Sequence, residues 1–129
     1  MKITLASIFV EDQDRALAFY TSVIGFRKKH DIPMGQFRWL TVTSPEGVAG
    51  VELVLEPMAF PPARTFQKAL FEAGIPATAF ITADIATEFQ KLKAAGVKFR
   101  GEPTSMGAVT VVLFEDNCGN LINLVQPAG

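Results

Sequence analysis

The feature that most constrains this chain is a pattern that occurs twice. Residues 3–10, ITLASIFV, are rich in strand formers, and Asp12 follows where a helix N-cap belongs. Ala16, Leu17, Tyr20, Val23 and Ile24 then recur at helical spacing, and Gly25 stands at the expected C-terminal end. Extended segments come next at residues 26–30, 37–44 and 50–57. The order restarts with PATAFITA, residues 76–83, and Asp84 again takes the N-cap place. Ile85, Phe89 and Leu92 form one helical stripe, Lys91 and Lys93 sit where the helix dipole favours cations, and Gly96 ends the helix. VKFR at 97–100, the strand at 108–115 and LINLVQP at 121–127 complete the second unit, with a turn at 116–120. Between the units lie PMAFPPAR, residues 57–64, and a short helix expected at 65–73, closed by Gly74 and Pro76. The spacing predicts one βαβββ unit repeated, an α+β fold in a single domain over 1–129. Module one is 1–57, a helical linker 58–74, and module two 75–129.

Strand side chains alternate between faces. Ala6, Ile8 and Val10 alternate with Leu5, Ser7 and Phe9. Val51, Leu53 and Leu55 alternate with Glu52, Val54 and Glu56. In the second unit Ala79 and Ile81 alternate with Thr78, Phe80 and Thr82, and Ile122 and Leu124 with Leu121, Asn123 and Val125. One set is uniformly apolar and is expected under the helices. The other mixes Phe, Val and Leu with Ser, Thr, Glu and Asn, as a ligand cavity requires. The competing expectation is that two mixed faces bury against each other or against a partner chain, with Glu52 hydrogen-bonded. VELVLEP and LINLVQP echo each other and set Glu52 against Asn123. The face of Trp39 depends on the register across residues 44–50 and stays open.

Composition narrows the function classes. A net charge of -1 gives no electrostatic footprint for nucleic acid. The cluster Arg27-Lys28-Lys29-His30 reads as a solvated strand end. No apolar run approaches the ~20 residues of a membrane span, and no export leader is seen, so a cytoplasmic protein is expected. The single cysteine, Cys118, excludes an internal disulfide and reads as a turn residue. The single histidine, His30, reads as a surface residue off the cavity face. No HxH, HExxH or CxxC spacing occurs, and neither a metal nor another cofactor is expected.

Two segments carry a family likeness. VEDQDRALAFYTSVIGF, residues 10–26, and FEDNCGNLINLVQP, residues 114–127, resemble the module signatures of the vicinal oxygen chelate superfamily. That superfamily holds glyoxalase I, bleomycin resistance proteins and extradiol dioxygenases. The resemblance implies two tandem βαβββ modules forming a curved, cup-shaped mixed sheet with helices on the outer face. It also implies pairing into a homodimer, with cavities formed within one chain or across two. Enzymes of the superfamily hold a divalent metal from the cavity face. By motif the four positions fall at Leu5, Glu52, Thr78 and Asn123, of which only Glu52 is a good ligand.

The expectation is therefore a metal-free protein that binds a small organic molecule. The ligand-binding set is Ser7, Phe9, Trp39, Glu52, Glu56, Thr78, Phe80 and Asn123, and the two carboxylates would favour a cationic or donor-rich ligand. The alternative is a family enzyme of lyase, isomerase or dioxygenase type. In it Glu52 acts as a general base with its pKa raised by an apolar setting, or joins Glu56 in a degenerate metal site. A further alternative makes the mixed face a dimer interface.

Overall fold

The computed structural model describes residues 1–129. The chain divides into two compact units, residues 1–66 and 67–129. Each carries one four-stranded mixed sheet, in the order β1-β4-β3-β2 and β5-β8-β7-β6.

In the first unit β1 (Leu5–Phe9) runs parallel to β4 (Glu52–Glu56), while β2 (Arg27–Met34) and β3 (Phe37–Thr43) are antiparallel. Helix α1 (Gln13–Ala18) starts at Asp12, whose Oδ1 accepts the Arg15 N–H at 2.9 Å. It does not continue as a regular helix to Gly25. Residues Phe19–Val23 form a π-helical turn, in which the Ile24 N–H reaches the Phe19 carbonyl at 3.0 Å. The wider turn seats Tyr20, fully buried, in stacked contact with Phe26. Helix α1 packs on β3 and β4. Leu40, Val42, Leu55 and Val10 are fully buried in that layer.

Gln13 ties the helix to the sheet. The paired register of β3 and β4 ends at Thr41 and Val54. Beyond it, the Gln13 amide donates to the carbonyls of Arg38 (2.8 Å) and Leu55 (3.0 Å) and accepts the Arg38 N–H (3.1 Å). One side chain thus replaces the ladder where the strands part. On the same side Arg38 forms ion pairs with Asp31 and Asp14.

Helix α2 (Pro61–Glu72) begins earlier than expected. Pro61 and Pro62 lie in its first turn, where a missing N–H costs nothing and the fixed φ suits a helix. Two of the three prolines of PMAFPPAR therefore start the helix, and only Pro57 precedes it.

The second unit repeats the scheme. β5 (Thr78–Ile81) is parallel to β8 (Leu121–Pro127), and β6 (Thr104–Met106) and β7 (Val109–Glu115) complete the sheet. Asp84 caps α3 (Ile85–Ala94) and accepts from Thr87 through backbone (3.1 Å) and hydroxyl (2.7 Å). Ile85, Phe89 and Leu92 are buried, as their spacing predicts. VKFR is not the strand expected: it contributes only a bridge from Phe99 to Phe114, and β6 lies further along. The cause is a hairpin turn. Met106 pairs with Val109 around Gly107 (φ 66), just as Met34 pairs with Phe37 around Gly35 (φ 64). A positive φ at the first of two turn residues suits a tight hairpin and needs glycine. The turn at 116–120 is built on Asp116, fully buried, which accepts from the N–H groups of Cys118 (2.8 Å) and Asn120 (3.0 Å). Gln67 of α2 donates to the Cys118 carbonyl at 3.1 Å. Cys118 is a buried free thiol in that turn.

A mixed polar and apolar face on the first sheet

Strand register assigns the faces of the first sheet. Leu5, Ser7 and Phe9 of β1 lie beside Glu52, Val54 and Glu56 of β4. Val54 pairs with Thr41, Thr41 with His30, and Trp39 with Ile32. All these residues share one face, opposite the face that packs on α1. Trp39, whose side was open from sequence, belongs to it. The face is richly apolar and accessible: Leu5 is 46%, Phe9 37%, Ile32 50% and Met34 60% exposed.

His30 overturns its sequence reading. Counted from the start of β2, alternation places it on the helix side. The register shifts between Lys28 and His30, however, so that Lys29 is an extra residue in the ladder. A β-bulge of this kind inverts the alternation that follows it. His30 therefore joins Glu52 and Thr41. Its Nδ1 lies 2.7 Å from Glu52 Oε1, the Thr41 hydroxyl donates to that same oxygen at 2.7 Å, and the His30 backbone N–H donates to Thr41 Oγ1 at 3.1 Å. Thr41 is fully buried, whereas the His30 side chain is 41% and that of Glu52 18% exposed.

These contacts set the charge of Glu52. The hydrogen bonds from Thr41 first, and then from His30, hold its carboxyl below the usual carboxylate range. A raised pKa, the basis for a Glu52 general base, is thus contradicted: the ionised form is the one the hydrogen bonds select. Glu56 lies on the same face beside Phe9.

The second sheet corrects the expected set. Thr78 pairs with Ile122 and Phe80 with Leu124, while Asn123 pairs with Ala79 and Val125 with Ile81. Parallel partners share a face, and Ile122 and Leu124 are buried. Thr78 and Phe80 therefore stand on the buried side, and Asn123 on the other, with Ala79, Ile81 and Leu113. The sequence reading was one residue out of phase. Measured back from the N-caps, Phe9 matches Ile81 and Ile8 matches Phe80, and one step flips every side chain.

The divalent metal implied by the family resemblance does not fit these residues. Leu5 has no donor atom, and Thr78 faces away from Asn123. Glu52 Oε1 is engaged by two hydrogen bonds, one of them to the only imidazole. In neither unit do three or more His, Cys, Asp or Glu side chains converge where one ion could be held.

Comparison with known proteins agrees with this architecture. The family model described as "Glyoxalase/Bleomycin resistance protein/Dioxygenase superfamily" matches residues 2–124. The chain is 56% identical over 126 residues to the uncharacterized protein YurT of Bacillus subtilis (strain 168), covering 98% of this chain and 99% of that one. It is similar to the crystal structure of UcmS2, with a TM-score of 0.82 at 30% identity and 97% of each chain covered. It also resembles TnmS3, an antibiotic binding protein from Streptomyces sp. CB03234, with a TM-score of 0.77 at 30% identity, covering 99% of this chain and 97% of that one. Two βαβββ modules, their signature segments and a match that spans nearly the whole sequence together place this chain in the glyoxalase/bleomycin resistance protein/dioxygenase superfamily.

Proposed function

We propose that this protein binds a small organic molecule on the open face of the first sheet, without a metal centre. The observation that carries this reading is one juxtaposition. Leu5, Phe9 and Ile32, all more than a third exposed, share a face with the hydrogen-bonded trio His30, Thr41 and Glu52. Apolar walls with a few fixed polar groups are the composition of a ligand site. Trp39 adds a ring for stacking, and Ser7 and Glu56 add polar atoms on the same face. Similarity to an antibiotic binding protein supports the same reading. Asn123 belongs to the second sheet and is not part of this site.

The ligand class differs from the one that bare carboxylates would favour. Glu52 is already matched by Thr41 and His30, so a cationic ligand has less to gain from it. Catalysis with Glu52 as the base is disfavoured for the same reason, since a carboxyl held ionised by two hydrogen bonds is a weaker base. The reading extends to a cytoplasmic homodimer, whose mass at two concentrations sedimentation would report.

The test is a screen of drug-sized aromatic molecules, followed by fluorescence of Trp39, the only tryptophan. Binding should change its emission and raise the melting temperature, as any ligand selective for the folded state must. Substituting Phe9 by Asp should abolish both responses. A ligand whose affinity is indifferent to Phe9, Trp39 and Glu52 would place the site elsewhere.

A further inference from the structure

We infer that His30 is held as its Nδ1–H tautomer and turns the lone pair of Nε2 toward the ligand, which is an apolar, ring-bearing molecule with a weakly acidic O–H or N–H. This rests on the open face of the first sheet being a small-molecule site.

A count of protons gives the tautomer. Thr41 has a single hydroxyl hydrogen, and it goes to Glu52 Oε1 at 2.7 Å. The hydroxyl oxygen meanwhile accepts the His30 backbone N–H at 3.1 Å. Glu52, ionised, has only lone pairs to offer. His30 Nδ1 sits 2.7 Å from one of its oxygens. Two bare acceptors would repel at that distance, so Nδ1 carries the hydrogen. In a neutral imidazole the other nitrogen is then an acceptor. Nε2 makes no hydrogen bond within the chain, on a side chain that is 41% exposed among apolar neighbours.

Glu52 is thus a positioning residue, and His30 is the polar group a ligand meets. A phenol, enol or acidic N–H donates to Nε2. If the proton crosses fully, it leaves the ligand's O–H or N–H bond and forms Nε2–H. The ligand becomes an anion facing an imidazolium that Glu52 stabilises from behind. An ether of the same shape lacks that proton and gains nothing at Nε2.

Nitrogen NMR of the protein tests this, because one histidine gives one pair of ring nitrogen signals. In mildly alkaline buffer Nδ1 should show the shift of a protonated ring nitrogen and Nε2 that of a bare one. Naphthol should move the Nε2 signal and the Trp39 indole N–H signal, and should bind about tenfold more tightly than its methyl ether, roughly the worth of one such hydrogen bond. Glu52→Ala should mix the tautomers and erase the preference for naphthol. An Nε2–H tautomer in the free wild-type protein overturns the inference with no variant needed. Equal binding of naphthol and ether, with Trp39 perturbed and Nε2 unmoved, also overturns it and leaves the small-molecule site standing. If neither probe disturbs Trp39 or His30 up to its solubility limit, the inference and the site reading fall together.

Discussion

His30 and Glu52 come from strands at different positions in the first sheet, with β3 between them, yet their side chains meet at 2.7 Å. Thr41 of the intervening strand bridges them. The pair is built from three of the four strands, so it reports on the integrity of β2, β3 and β4 together.

That pair makes part of the stability pH-dependent. Glu52 is held below the ordinary carboxylate range by Thr41 and His30, Asp31 by Arg38, and Asp84 by Thr87. A carboxylate with a depressed folded pKa stabilises the fold above its unfolded pKa of about 4. Its contribution is lost as pH falls through the lower folded value, because the unfolded chain then binds more protons. Urea denaturation should therefore show falling stability as pH drops below about 5. Glu52→Gln should flatten that slope relative to wild type. An unchanged slope would mean that the Glu52 contacts do not persist in solution.

Gln13 should be among the costliest polar residues of the first unit to remove. Gln13→Ala strands the Arg38 N–H and the Arg38 and Leu55 carbonyls together. A loss of about 2–3 kcal/mol is expected, the scale of buried backbone groups left without partners. Equilibrium denaturation measures it. Gln13→Glu should also destabilise, since a carboxylate can replace the acceptor but neither donor bond.

Asp116 plays the matching part in the second unit. It accepts from Cys118 N–H, Asn120 N–H and the Asn120 side-chain amide, the last at 2.8 Å. Asp116→Ala should cost about 3 kcal/mol or more, because hydrogen bonds to a buried charged group exceed neutral ones. It should also make Cys118, buried in the native turn, reactive toward a thiol reagent. A thiol as protected as in wild type would show that the turn holds without Asp116.

The bulge yields a less obvious expectation. On the far side of Lys29, the Gly35 hairpin fixes the register that pairs His30 with Thr41. Deleting Lys29 leaves Lys28 opposite Val42 and His30 opposite Thr41 as consecutive pairs. The deletion should fold and keep the ring-nitrogen signals of His30. A scrambled tautomer would show that the bulge geometry itself aims the imidazole.

Much of this fold was legible in the sequence, and the exceptions have physical causes. The repeated order of strand, Asp cap, helix and glycine was visible because caps and helical stripes are local signals. Phe9, Glu52 and Glu56 share one face, as their alternation predicts, because β1 and β4 pair without interruption. His30 was missed because a bulge is a property of two strands, and one strand read alone shows only alternation. Thr78 and Phe80 were misplaced because a short strand offers too few apolar residues to fix its phase. One signal was available and unused. The dipeptide Met-Gly occurs at Met34-Gly35 and at Met106-Gly107, each time at a hairpin. Counting back from Gly35, His30 lines up with Ile32 and Met34, the face on which it is found.

The extra residue at Lys29 also bears on how such a chain tolerates change. Two fixed points, the helix end at Gly25 and the hairpin at Gly35, hold β2 from opposite sides, and the bulge takes up the mismatch between them. Length added or removed on the helix side of the bulge should therefore leave the segment that carries His30 where its own turn puts it. The strand would then act as a slip joint, separating the position of His30 from errors of length in the segment that leads into it.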